Sequence, residues 1–252
     1  MTFDVAAEAY GRFMGRFSEP LAVTFLEVAQ VPPGCRALDV GCGPGALTAQ
    51  LVTRLGDRQV SAVDPSAPFL SAVRARFPRV DVREGSAEQL PYPDDHFDVT
   101  LAELVVHFMS DPVAGLQEMR RVTRPGGRVA ACVWDHAGGG SPLSIFWTAV
   151  SDLDPGARTE SELAGARQGH LLELFGAAGL HETEELTLTV EVPFGSVDDW
   201  WQPYTLGVGP AGAYVAGLSP EGREALRARC AELLPDAPFM VAASAWCVRA
   251  TA

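Results

Sequence analysis

Asp39 stands near the end of a short apolar run, Ala37-Leu38-Asp39-Val40, which is followed at once by Gly41-Cys42-Gly43-Pro44-Gly45. An acid on a strand end beside a glycine-rich turn can bind a ligand at close range. A residue without Cβ takes positive φ and lets an adenosyl or phosphate group approach the backbone. The next residues, Ala46 to Leu51, are good helix formers, so the turn sits between a strand and a helix, where open α/β sheets bind nucleotides. A second apolar run, Gln59 to Val63, ends in Asp64, 23 residues after Gly41, the distance at which a carboxylate accepts both ribose hydroxyls. These residues predict binding of an adenine-nucleotide-like ligand. Gly41, Gly43 and Ala46 also satisfy the dinucleotide pattern G-x-G-x-x-G/A, so this stretch alone leaves a nicotinamide-dependent oxidoreductase open.

The residues that follow separate the readings. Gly85-Ser86-Ala87-Glu88, then Leu90-Pro91-Tyr92-Pro93-Asp94-Asp95-His96-Phe97-Asp98, then Arg124-Pro125-Gly126-Gly127 ahead of an apolar run to Trp134 form an ordered series that a nicotinamide enzyme does not need. With this series the chain resembles the class I S-adenosylmethionine-dependent methyltransferases, and among them the ubiquinone/menaquinone-type small-molecule branch. The resemblance covers roughly residues 5 to 135. It implies that Asp39, Gly41, Gly43 and Gly45 hold the methionine part of S-adenosyl-L-methionine, that Asp64 binds its ribose, and that Ser86 and Ala87 meet the adenine. The expected donor contacts extend to Cys42, Pro65, Glu88, Ala102 and Glu103, and by position in the N-terminal cap to Tyr10 and to Met14, which either covers the donor or only packs the cap onto the sheet. The family usually has Asp where this chain has Ser86, whose hydroxyl accepts from the adenine amine without a charge, so the contact can shift to the neighbouring backbone and Glu88.

Methyl transfer from a sulfonium is an in-line displacement, so the protein's main task is to hold donor and acceptor in near-attack geometry without competing water. A base is needed for a phenol or an acidic carbon and is optional for a neutral amine. Glu103, His107 and His136 are the candidate catalytic residues. Glu103 ends the run from Phe97 and could balance the sulfonium or pair with an arginine; His107 lies in apolar Val105-Val106-His107-Phe108; His136 follows a strand end in a glycine-rich loop. Trp134, His136, Trp147, Phe194, Trp200 and Trp201 are the candidate acceptor contacts. The tryptophans could stack on a planar substrate or anchor a lid.

The elements that must position these residues alternate. Strands are predicted near 36–40, 59–63, 79–83, 97–102 and 127–134, with helices near 45–55, 66–76, 111–122 and 166–175, and two further strands over 184–192 and 242–249. Alternation of this kind predicts an α/β, Rossmann-like, doubly wound and mostly parallel seven-stranded sheet. The resemblance implies that its last strand is antiparallel. A helical cap is expected over 1–33, with helical tendency at 5–17 and 19–30. The donor-binding core is 34–135, and elaborations at 136–165 and 193–241, the latter a C-terminal helical insertion, should build the acceptor pocket. All belong to one domain.

Composition bounds the rest. The chain has 252 residues, 47% of them apolar, and a formal charge of −13. Its 19 basic residues are all arginine, so no lysine can form a Schiff base. Such a balance disfavours nucleic acid as substrate. No apolar run is long enough to span a membrane, and Met1 to Val5 lack the features of a secretory signal, so a cytoplasmic protein is expected. Five cysteines without paired spacing argue against a disulfide framework and against zinc. A small-molecule methyltransferase is the favoured reading. The alternatives are a nicotinamide-dependent oxidoreductase and a cofactor-binding module without transfer activity.

Overall fold

The computed structural model describes residues 7–252; the part of the expected cap over residues 1–6 lies outside the described residues. The cap begins with α1 (Ala7–Tyr10), passes through a π-turn over Gly11–Gly15 and continues directly into α2 (Arg16–Val28). Two separate helices were expected here. The glycines instead accommodate a widened turn within one helical path, a feature frequent at functional sites.

The remaining elements follow in alternation: β1 (Ala37–Val40), α3 (Ala46–Leu55), β2 (Val60–Asp64), α4 (Ala67–Arg76), β3 (Asp81–Glu84), β4 (Phe97–Glu103), α5 (Pro112–Val122) and β5 (Thr123–Trp134). After them come α6 (Ser144–Leu153), α7 (His170–Ala177), β6 (His181–Phe194), α8 (Val197–Trp201), α9 (Gly209–Gly217), α10 (Pro220–Leu233) and β7 (Phe239–Thr251). The seven strands form one sheet in the order β3-β2-β1-β4-β5-β7-β6. β1 to β5 are parallel, and β7 inserts antiparallel between β5 and β6. The expected doubly wound sheet with an antiparallel last strand is therefore present.

β1 and β2 are buried along their whole length, as parallel strands covered by helices on both faces must be. The period of two divides β5 between the two sides of the sheet. Ala130, Cys132 and Trp134 enter one core with the cap and the C-terminal insertion, and Val129, Ala131 and Val133 enter the other with α5 and α7. Trp134 is 1% exposed.

Several boundaries move for local reasons. β5 begins at Thr123 rather than 127, because Thr123 pairs with Phe97 before the register jumps to Val99 and Arg128, leaving the Pro-Gly-Gly stretch as an excursion inside the strand. α7 begins at His170 rather than 166, since Gly165 and Gly169 hold φ at +76° and +79° and keep the chain turning. β6 and β7 run past the expected ends and pair from His181/Thr251 to Phe194/Phe239.

Candidate active site

Winding of the chain reverses at β1, with β2 on one side and β4 on the other, and a doubly wound sheet opens a crevice beyond its strand ends at such a point. A cleft of about 540 Å³ lies there. It is bounded by Gly41 and Gly43 after β1, Asp64 and Pro65 at the end of β2, Gly85 to Glu88 after β3, and Glu103 to Val105 at the end of β4. Tyr10 of the cap and Phe69 of α4 close it from outside, their rings edge-on at 5.4 Å.

The glycine loop owes its shape to two separate demands. At Gly41, with φ at +67°, a Cβ would stand 2.5 Å from Val105 Cγ2, so this glycine lets the loop pack on the segment after β4. At Gly43, with φ at +52°, a Cβ would meet nothing within 4 Å, so the loop presents bare backbone to open space. The loop is tied down by the Gly41 and Cys42 N–H groups, which donate to the Val63 carbonyl at 2.7 and 3.0 Å.

Asp64 braces the same loop. Its Oδ2 accepts from the Gly43 N–H at 2.9 Å and its Oδ1 from the Ser66 N–H at 2.8 Å. Burial raises its proton affinity, and these two backbone donors oppose the rise. Each oxygen keeps a lone pair for a ligand hydroxyl.

Asp39, Cys42, Gly45 and Ala102, expected as donor contacts, are not among the residues that line the cleft. Asp39 is 1% exposed and its Oδ2 accepts from the Thr48 hydroxyl at 2.6 Å; burial pushes its carboxyl up to about 7. It supports the loop from beneath, linking β1 to α3. Cys42 is turned into the core, Ala102 is fully buried, and Gly45 makes the left-handed entry to α3 at φ +98°. Ser86 and Ala87 do line the cleft. Glu88 lines it as well, and its Oε1 accepts from the Ser110 N–H at 2.7 Å.

Glu103 is the carboxyl whose surroundings fit a cationic ligand. Its Oε1 is buried with no hydrogen-bond partner among the described residues, and burial, reinforced by Asp39, holds its carboxyl well above the usual carboxylate range. An unpartnered buried polar group costs about 1–3 kcal/mol, which a cation or donor placed in the cleft would offset. Tyr10 remains a neutral phenol, since burial and then the nearby Glu103 and Asp64 raise its proton affinity. The cleft's open backbone at Gly43, its braced carboxylate Asp64 and the orphaned Glu103 are consistent with an adenosyl amino acid bearing positive charge.

A smaller chamber of about 40 Å³ adjoins the cleft and shares Tyr10, Leu104 and Phe108 with it. His107, Trp134 and His136 line it, as does Met14, which faces this chamber rather than the cleft. The two imidazoles lie 5.7 Å apart. Burial pushes His136 down to about 4 and His107 well below its ordinary range. His107 Nδ1, Trp134 Nε1 and both nitrogens of His136 are buried without partners among the described residues. The chamber is apolar in its walls and polar in its unmet hydrogen bonds.

Trp147, Phe194, Trp200 and Trp201, expected to touch the acceptor, do not line either cavity. Phe194 stacks on Phe239 at 5.8 Å, while Trp200 and Trp201 pack around Tyr204. They are anchors of the insertion, which large aromatics serve by burying their area. Trp147 instead donates its indole N–H to Glu160 Oε2 at 2.7 Å. Glu160, which lines the chamber, lies in the 136–165 elaboration but was not singled out, because nothing in Thr159-Glu160-Ser161-Glu162 distinguishes it from its polar neighbours. Leu104 was also missed. Its φ of +60° is costly for a side chain with a Cβ, and such strain gathers at functional sites.

Residues 38–131 match the family described as Methyltransferase domain. An uncharacterized methyltransferase of Mycobacterium bovis is 39% identical over 136 residues, covering 54% of this chain and 52% of the relative. The ubiquinone/menaquinone biosynthesis C-methyltransferase of Shewanella frigidimarina is 35% identical over 111 residues, 41% of this chain and 44% of that protein. The chain thus spans about half the length of these curated relatives. Among solved structures, a phosphoethanolamine N-methyltransferase of Haemonchus contortus, held in a complex with phosphomonomethylethanolamine and S-adenosylhomocysteine, superposes with a TM-score of 0.59 at 16% identity, covering 100% of this chain and 60% of its own, which shows a shared fold. The resemblance read from the motif series holds: residues 38–131 match the methyltransferase-domain family, and the curated relatives that share this stretch are methyltransferases.

Proposed function

We propose that the protein transfers a methyl group from S-adenosylmethionine to an O, N or C atom of a small planar or apolar acceptor by in-line displacement. The observation that carries this reading is the pair of cavities sharing Tyr10, Leu104 and Phe108: one is suited to an adenosyl donor, the other to the reacting end of a small molecule. The donor, when bound, would supply a methyl group on an electrophilic sulfonium. Asp64 would accept from the ribose hydroxyls, Ser86 and Ala87 would flank the adenine, and Glu103 would balance the positive charge. Tyr10 and the π-turn would cover the junction and exclude water, which matters because displacement needs alignment more than acid–base help.

His107 and His136 would orient the acceptor as neutral hydrogen-bonding groups. Both titrate too low to hold a proton at neutral pH. No arginine lines either cavity, which supports an acceptor without phosphate or carboxylate. Among the described residues, no helix is long and apolar enough to cross a membrane, and no cluster of side chains could hold a metal ion.

Calorimetry with S-adenosylhomocysteine and with NAD, followed by turnover with isotopically labelled methyl donor against phenols, quinones and amines, tests the reading. Binding of S-adenosylhomocysteine alone together with a labelled product supports it. Binding of NAD in its place favours the oxidoreductase, and donor binding without any product favours a binding module.

A further inference from the structure

The chamber behind Tyr10 holds a carboxylate that the donor does not need. Glu160 is 4% exposed and sits between α6 and α7 in a segment outside the matched domain. The Trp147 indole fixes Oε2 at 2.7 Å, while the other oxygen carries no hydrogen bond to the described residues. An indole N–H can only donate, so this contact orients a carboxylate without supplying a counter-charge. A buried carboxylate with no cation beside it is costly, and a structural anchor for Trp147 would need only a neutral acceptor such as an amide.

The other polar groups of the chamber narrow what it can take. Trp134 Nε1, His107 Nδ1 and the two nitrogens of His136 are buried without partners among the described residues, so a guest must offer oxygen or nitrogen to at least some of them. The absence of arginine from the walls disfavours an anion. The chamber's volume of about 40 Å³ suits a compact reacting end.

We infer that Glu160, oriented by Trp147, accepts the proton that a hydroxyl acceptor loses as it is methylated, and that the chamber selects an uncharged phenolic or enolic molecule. This rests on the proposed methyl transfer. The hydroxyl oxygen forms the new O–CH₃ bond as the S–CH₃ bond breaks, the electron pair of the broken bond stays on sulfur, and the hydroxyl proton passes to Glu160. Sulfonium and carboxylate become thioether and carboxylic acid, so charge balances within the pocket. A neutral amine attacks before it loses a proton and gives the buried carboxylate nothing to do.

Proton affinities in the chamber agree with this division of labour. Burial pushes Glu160 up to about 7, opposed only by the Trp147 N–H, while His136 is pushed down to about 4. His107 and His136 line the same chamber and stay uncharged, Tyr10 stays a neutral phenol, and burial, then Cys230 and Glu160, raise the proton affinity of Tyr204. Glu160 is therefore the strongest proton acceptor among the groups that face the acceptor at neutral pH.

The test uses the full chain saturated with S-adenosylhomocysteine, with phenol and catechol as probes and aniline as the matched amine, followed by calorimetry across the neutral range. Wild type should bind the phenols better than aniline, with affinity rising through about pH 7 as Glu160 ionises. Glu160→Gln, whose amide oxygen still accepts from Trp147, should bind phenols about tenfold more weakly, as loss of a charge-assisted bond predicts, with no pH dependence. Trp147→Phe should shift the midpoint upward, because the indole N–H holds Glu160 down. With a methylated hydroxyl acceptor, Glu160→Gln should lower kcat by about a hundredfold with a smaller change in KM. Phenol affinity and pH profile unchanged in Glu160→Gln overturn the inference, as does a wild type that binds S-adenosylhomocysteine but no phenol; both results leave the donor site standing. A wild type that fails to bind S-adenosylhomocysteine overturns the proposed function and this inference with it.

Discussion

The Gly43 N–H donates to Asp64 Oδ2 at 2.9 Å across a separation of 21 residues, joining the glycine loop after β1 to the end of β2. The carboxylate proposed to hold the ribose thus also shapes the loop proposed to hold the methionine, so damage at either reaches the other. Asp64→Ala should weaken S-adenosylhomocysteine binding by about 1.5–3 kcal/mol, roughly ten- to hundredfold. Asp64→Asn keeps one acceptor oxygen and should lose less. Calorimetry with a parallel melting curve checks this, and unchanged affinity in Asp64→Ala would show that the ribose lies elsewhere.

Gly41 and Gly43 should fail in different ways. A methyl at Gly41 would collide with Val105, so Gly41→Ala should lower the melting temperature and reduce binding only as a result. At Gly43 the added group meets open space in the cleft. Gly43→Ala should cost about 1–2 kcal/mol of stability from its positive φ, and Gly43→Val should abolish donor binding while the sheet persists by circular dichroism. Wild-type affinity in Gly43→Val would remove the loop from the donor site.

Much of this loop was legible in sequence because its signal is local. Glycines between a strand and a helix, and an acid on the next strand end, follow from backbone geometry alone. On the chamber side only Trp134 and His136 of the expected acceptor contacts were legible, and the rest was not, for a physical reason. Trp147, Trp200 and Trp201 have side chains that serve equally as substrate platforms and as core, and only long-range packing decides between them. Glu160 is the converse case. Its charged neighbourhood in sequence looks solvated, and only the closure of α6 and the C-terminal insertion buries it. Met14 was placed on the donor and sits on the chamber, one wall away, since the π-turn rotates the residues after Tyr10 relative to an ordinary helix.

Glu103 gives a pH signature. Its proton is held in the free protein by burial, and a sulfonium beside it favours the ionised form. Binding of S-adenosylmethionine should therefore release a proton, and affinity should rise with pH until it passes the free protein's Glu103 titration. S-adenosylhomocysteine, which lacks the sulfonium charge, should release less. Calorimetry in two buffers of different ionisation enthalpy measures the difference, and Glu103→Gln should erase it. Equal proton release for both ligands would place Glu103 away from the sulfur.

Tyr10 borders both cavities, so its substitution should separate covering from hydrogen bonding. Tyr10→Ala should reduce turnover more than Tyr10→Phe, which keeps the ring. Deleting the first 17 residues is a poorer test than sequence alone suggests, because Phe13 and Phe17 are 7% and 6% exposed and belong to the core. Equal turnover in Tyr10→Ala and wild type would reduce the segment to packing.

The ladder between β6 and β7 closes on the pair Phe194 and Phe239. The 195–238 segment therefore leaves the sheet and rejoins it at facing positions, about 5 Å apart in an antiparallel pair. Loop closure depends only weakly on length, so a segment anchored in this way can be lengthened, shortened or exchanged while the strands keep their register. This segment supplies the chamber wall at Val208 to Ala211, whereas the cleft's walls come from the cap and from residues ahead of β5. If the chamber takes the acceptor as proposed, exchanging this segment would reshape one of its walls while leaving every wall of the cleft in place.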